Sequence, residues 1–224
     1  MLFWFYKLTE EISMSNIAVI KQKGGTGASA LATTLAIELA KSGETLLVDL
    51  DPNQQTSLNR LKLRADKHSK YINVKAALVL NDGRDAVKES NQYEHTVFDG
   101  AATASVSSII IAKHSDLILI PTGLSKDDLD PNIQLAYELI SEGINTDKIF
   151  IVFNNASGTA SEQRMAAEYL AQTPLNVMPG VIENKTCYRQ ALNSGKVLTE
   201  VSFVQPRVKA KELVKQIINQ LSIK

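Results

Sequence analysis

The stretch Lys21-Gln22-Lys23-Gly24-Gly25-Thr26-Gly27-Ala28-Ser29 has the parts of a phosphate grip, with one part changed. Gly24, Gly25 and Gly27 let the backbone fold inward, so that successive amide hydrogens converge on an anion. The apolar run Asn16 to Ile20 precedes them, and a helical pattern begins at Ser29, which adds the positive end of a helix. Ser29 stands where a hydroxyl would hold Mg²⁺. The general phosphate loop reads G-x-x-x-x-G-K-[ST], and its lysine reaches the β- and γ-phosphates. Here Gln22 stands at the first glycine and Ala28 at the lysine. A glycine-rich strand-to-helix turn without a ligand is the plain alternative.

Three further positions carry chemistry of the same kind. Asp51, just past the run "TLLVDLD", can orient and polarise water attacking a γ-phosphate. Asp49 suits the metal's water shell or the support of the loop. Asp99 closes "HTVFD", where a carboxylate reaches toward magnesium. Asn154 ends "KIFIVFNN" and offers an amide able to pair with the N6/N1 face of adenine. Each has a bland reading beside it: Asp51-Pro52-Asn53 can simply turn the chain, and Asn154-Asn155 is a common loop dipeptide.

The elements that must position these residues follow from periodicity. Short β-branched and leucine runs near 16–20, 45–51, 95–100, 116–121, 148–155 and 177–181 alternate with helical spacing. Helices are expected from Ser29 through Lys41 and over 107–114, 129–141, 161–171, 188–193 and 206–221. Helices and a surface loop around 81–85 are expected between Pro52 and Ser90. Nearly continuous apolar strands require cover on both faces. The fold class is therefore α/β, a doubly wound, mainly parallel sheet with helices on both faces. Ligands of such sheets lie beyond the carboxyl ends of the strands, which is where all these candidates fall.

The chain has 224 residues, 44% of them hydrophobic, and formal net charge zero, so no global field draws it to nucleic acid or anionic lipid. The single cysteine, Cys187, excludes an internal disulfide and any multi-thiolate cluster within one subunit, and suits a reducing cytoplasmic setting. Residues 1–13, "MLFWFYKLTEEIS", are neither long enough to span a membrane nor built like a signal peptide, and read as an N-terminal extension. Residues 14–224 read as a single domain.

With these pieces assembled, the chain resembles the ParA/MinD family, the deviant Walker A ATPases, over roughly residues 15 to 220. "KGGTGAS" is similar to the family's K-G-G-x-G-K-[ST], and "LLVDLDPNQQTS" to its D-x-D-P-Q segment, with Asn53 where glutamine is usual. "YEHTVFDGAATAS" and "DLILIPTGLSKDDL" resemble the two strands that follow. "YRQALNSGKVLTE" resembles a stretch typical of plasmid partition ATPases. The resemblance implies a P-loop fold that binds ATP/ADP and Mg²⁺ through residues Lys23, Gly24, Gly25, Thr26, Gly27, Ala28, Ser29, Ala30 and Asn154. It implies metal contacts from Ser29, Asp49 and Asp99, and catalytic roles for Asp51 and for Lys23. Lys23 would reach across an ATP-dependent, nucleotide-sandwich homodimer.

Ala28 removes the lysine that grips nucleotide within its own subunit. Such a charge-assisted contact contributes about 1.5–3 kcal/mol, so binding should weaken and hydrolysis should suffer more. Either an engineered substitution or a natural loss fits, and the otherwise complete site favours the first. The family further implies non-specific duplex DNA binding, nucleoid association and a ParB-like centromere-binding partner. Lys185, Arg189, Arg207, Lys209 and Lys211 are the DNA-binding candidates. Two other classes stand beside partition. One is a MinD-like membrane-positioning ATPase using the terminal helix with Leu213, Ile217 and Leu221. The other is a pseudo-ATPase scaffold.

Overall fold

A computed structural model describes residues 14–68, 74–101 and 105–221; the expected N-terminal extension lies outside them. The chain alternates β1 (Ser15–Val19), α1 (Ala28–Leu39), β2 (Thr45–Asp49), α2 (Thr56–His68), β3 (Val74–Val79), α3 (Gly83–Ser90), β4 (His95–Asp99) and α4 (Val106–His114). It continues with β5 (Leu117–Thr122), α5 (Lys126–Ser141), β6 (Ile149–Ala156), α6 (Ala160–Leu170), β7 (Asn176–Glu183), α7 (Thr186–Asn193) and α8 (Val204–Leu221). The strands form one seven-stranded sheet in the order β3-β2-β4-β1-β5-β6-β7. Every described strand pair is parallel.

Alternating side chains divide between two apolar layers, as the pleat requires. Ile17, Val19, Leu47, Val97 and Leu119 face α1, α2, α7 and α8 through Leu31, Leu35, Leu61, Tyr188, Leu213 and Ile217. Ala18, Ile20, Leu46, Val48, Phe98 and Ile120 face α3 to α6 through Ala86, Ile111, Leu135 and Leu170. Each fully buried large aliphatic side chain contributes about 1.5–3 kcal/mol, so the two layers together hold the sheet flat against its helices. Parallel register then sets the site: Asp99 pairs with Val19 on one side and with Asp49 on the other.

Two expectations are corrected. The segment before residue 81 contains β3, not only helices: it pairs with β2 from Thr45–Val74 to Asp49–Val79 and closes the sheet on that side. "VKAALV" carries neither strict alternation nor β-branched dominance, so its strand state comes from the neighbouring strand. "NDGRD" is a helix start rather than a loop, with the Asp82 carboxylate accepting from the Arg84 N–H at 2.8 Å to cap α3. The terminal stripe weighed for membrane contact is spent on the core, since Leu213, Ile217 and Leu221 are buried. No helix among the described residues is long and apolar enough to cross a membrane.

His95 opens β4 fully inside the protein, its Nδ1 2.9 Å from Ser15 Oγ and its Nε2 3.3 Å from Ser42 Oγ. Burial holds its pKa below the ordinary histidine value, against the opposing pull of Glu94. The unfolded chain therefore takes up this proton at higher pH than the folded one. The stability tied to a neutral His95 is whole above about pH 6.5 and is lost as pH falls through that value toward the folded pKa. Thermal melting should decline on going from about pH 8 to about pH 5.5, and His95→Gln should flatten part of that decline. Identical slopes for the two proteins would remove His95 from the account.

Candidate functional site

A cleft of about 340 Å³ opens beyond the carboxyl ends of the central strands. The loop from Gly24 to Ala30, Asp49, Asp51, Asn154, Asn155 and the stretch from Ile182 to Lys185 line it, together with Tyr188 and Arg189 of α7. Gly25 and Gly27 adopt left-handed φ values of 86° and 75°. At Gly27 an added Cβ would stand 2.6 Å from Asn154 Nδ2 and 3.2 Å from Asn155 Cβ, so only glycine lets the end of β6 come this close. There Asn154 Nδ2 donates to the Thr26 carbonyl and Asn155 Nδ2 to the Gly25 carbonyl, each at 2.8 Å.

The clamp fixes the loop by its carbonyls and leaves its amides over. Among the described residues, none accepts a hydrogen bond from the backbone N–H groups of Gly24 through Ser29. Gly24 and Gly25 are exposed to the cleft, whereas Thr26 Oγ1 and Asn154 Oδ1 are buried without a partner. Buried polar groups are nearly always paired. Unpaired donors in the loop that leads into the N-terminus of α1 are the observation that fits a phosphate chain. Ala28 and Ala30 turn buried methyl groups into the first turn of that helix, while the Ser29 hydroxyl makes no hydrogen bond among the described residues.

The carboxylates sort into separate tasks. Asp49 is buried: its Oδ1 accepts from the Asp51 N–H at 3.0 Å, and its Oδ2 from the Ser57 N–H at 2.9 Å and the Leu58 N–H at 3.4 Å. Burial raises its pKa, with the nearby Asp99 charge adding and these N–H donors opposing. Asp99 lies behind the cleft wall, one oxygen on the Ser57 hydroxyl and the other 3.4 Å from Lys21 Nζ. Lys21 also donates to the Gly100 carbonyl at 2.6 Å. Asp51 faces the cleft and also closes a turn, its Oδ1 accepting from the N–H groups of Asn53 and Gln54. Among the described residues no three His, Cys, Asp or Glu side chains gather as a metal cage. A divalent ion here would draw most of its oxygens from phosphate and water, as magnesium does.

The cations scatter more than their spacing suggests. Lys23 leaves the cleft, exposed, and donates to the Asp127 carbonyl at the start of α5 at 2.5 Å. Lys185 and Arg189 line the cleft itself: Lys185 pairs with Glu183, and Arg189 donates to Asn184 Oδ1 and Thr186 Oγ1. Lys209 reaches Glu183 at 3.2 Å, and these two lysines hold that carboxyl below the ordinary glutamate range, Lys185 first. Arg207 lies in the first turn of α8, and Lys211 lies in a separate groove with Glu38 and Lys41.

Four contributors escape a reading of the sequence: Lys21, Ser57, Arg60 and Asn155. Lys21 is hidden beside the more familiar Lys23. Ser57 and Arg60 read as the ordinary polar face of an amphipathic helix. Only the folded chain shows that this face turns toward Asp49, Asp99 and the cleft.

Known proteins share this fold. The profile described as "CobQ/CobB/MinD/ParA nucleotide binding domain" matches residues 17–198. The cell division ATPase MinD of Pyrococcus furiosus superposes with a TM-score of 0.70 at 16% identity, over 92% of this chain and 99% of that one. A putative plasmid partition protein of Borrelia burgdorferi bound to AMPPNP gives 0.67 at 15%, over 93% and 98%. An ATP complex of Cyanothece McdA gives 0.66 at 21%, over 95% and 98%. No curated protein sequence matches the chain significantly.

The clamp makes a contrast between neighbouring glycines. Gly27→Ala combines a left-handed backbone with a collision at Asn154, and should cost about 1–3 kcal/mol in urea unfolding. Gly24→Ala meets nothing within 4 Å and should unfold nearly as the parent does. Equal losses at the two positions would show that the Asn154 contact does not hold the loop.

Proposed function

This chain belongs to the CobQ/CobB/MinD/ParA nucleotide-binding domain family, and from that premise we propose that it is a ParA-type partition ATPase. On this reading it binds ATP with Mg²⁺ and pairs through the nucleotide into a homodimer. The dimer holds duplex DNA without sequence preference and answers to a ParB-like centromere-binding partner. The observation that carries the reading is the division of labour within one loop. The N–H donors of Gly24 to Ser29 remain unpaired beside the subunit's own cleft, while Lys23 extends out of it. A lysine so placed has its charge available to a second subunit's phosphates.

Asn154 is assigned to the adenine side through its unpaired Oδ1 and Asp51 to the attacking water. Ser29 and Asp49 would hold magnesium from the protein side, with Asp99 supporting them from behind. Magnesium would supply neutralisation of the β- and γ-phosphate charge. DNA contact falls to Lys185, Arg189, Arg207, Lys209 and Lys211, which pairing of two subunits would present twice. Burial of Leu213, Ile217 and Leu221 in the core weighs against the membrane-positioning alternative. A second reading, a nucleotide-binding scaffold that does not hydrolyse, is favoured by the buried methyl of Ala28 where a lysine would act.

ATP binding, turnover and mass distinguish these readings. The chain should bind ATP with negligible hydrolysis, and Ala28→Lys should tighten binding and restore DNA- or partner-stimulated turnover; a restored lysine that adds no turnover favours the scaffold. In the Ala28→Lys background, Asp51→Ala should keep binding and abolish hydrolysis. Sedimentation with a non-hydrolysable ATP analogue should show dimers that Lys23→Ala returns to monomers. A dimer indifferent to both nucleotide and Lys23 would rule out the sandwich.

A further inference from the structure

We propose that Arg60 binds the phosphate chain from within the subunit, in the role a lysine at position 28 would otherwise fill. The inference rests on the reading of the cleft as a nucleotide site. A triphosphate brings several negative charges into a cleft whose loop contributes N–H groups but, at Ala28, only a methyl group. Magnesium would offset part of that charge and the loop amides are neutral dipoles, so a side-chain cation facing the remainder would strengthen binding.

The cleft offers four: Lys21, Arg60, Lys185 and Arg189. Three are engaged. Lys21 is held on Asp99 and the Gly100 carbonyl, Lys185 on Glu183, and Arg189 on Asn184 and Thr186. Among the described residues, none accepts a hydrogen bond from Arg60, and its Nε is buried without a partner. Burial disfavours its charge, with only the Asp99 field opposing. A guanidinium does not shed its proton under such conditions, so it stays a cation in search of acceptors. Leaving such a group unpaired is costly, and phosphate oxygens in the same cleft are the acceptors its planar fork fits best.

The helix that carries Arg60 is fixed for this task. The Asp49 carboxylate accepts from the N–H groups of Ser57 and Leu58, and the Ser57 hydroxyl donates to Asp99. Arg60 follows Ser57 by three residues, so both lie on one face of α2. The anchoring that holds the helix against the sheet therefore also presents the guanidinium to the cleft.

The test is equilibrium binding of ATP, ADP and adenosine to the full chain and its variants, with melting curves as the folding control. Arg60→Ala should weaken ATP by about 10- to 100-fold and ADP by less, and leave adenosine unchanged. Arg60→Gln, which keeps the length and loses the charge, should behave alike, and Arg60→Lys should recover part of the loss. Adding Ala28→Lys should rescue Arg60→Ala, because the two cations serve one ligand. Tight ATP binding that survives both Arg60→Ala and Arg60→Gln would overturn the role of Arg60 and leave the nucleotide site standing. Equal losses for ATP and adenosine would overturn it too, by showing a structural effect. Failure of the unaltered chain to bind ATP would overturn the nucleotide reading itself, and this inference with it.

Discussion

Two carboxylates, Asp49 and Asp99, end adjacent strands in the same register and are buried side by side. Like charges in that position repel and are starved of water, so the fold must solvate them from within. Ser57 does most of this, giving its N–H to one aspartate and its hydroxyl to the other. The N–H groups of Asp51 and Leu58 and Lys21 Nζ complete the set. The arrangement ties the end of β2, the end of β4, the segment after β1 and the start of α2 into one polar node. Asp51 and Arg60 are oriented by elements that this node anchors.

The glycine loop obeys the opposite logic. There the fold leaves donors unpaired, and it can do so because the loop's carbonyls are secured by Asn154 and Asn155. A loop free to relax would turn its amides toward water or toward its own carbonyls. Held from the side of β6, it leaves them unpaired, together with the buried Thr26 Oγ1 and Asn154 Oδ1. The stability given up here is the kind of local deficit that a bound anion would repay.

Charge at the cleft shows the same economy of position. The exposed Lys23 and the enclosed Lys21 lie two residues apart, yet one reaches α5 and the other Asp99. Lys185 and Lys209 share Glu183, so part of the basic character of the late helices is already balanced locally. Formal charge along the chain is therefore a poor guide to which cations are available to a ligand. The pairing of each one decides that.

The sequence alone determined the sheet class, the glycine loop and the strand-end placement of Asp49, Asp99 and Asn154, because apolar period and glycine content are local properties of the chain. It offered candidates for phosphate chemistry in the glycine loop and at the strand ends. It missed β3, whose mixed composition becomes a strand only against β2. It also missed Ser57, Arg60 and Lys21, which look like ordinary solvent-facing side chains until α2 and the first strand are laid against β4. Tertiary structure alone decided that the terminal apolar stripe joins the core, that Asn154 braces the loop, and that Arg60 remains without an acceptor among the described residues. The physical reason is common to all of these: pairing and burial are set by neighbours distant in sequence, and a residue's type does not name its neighbours.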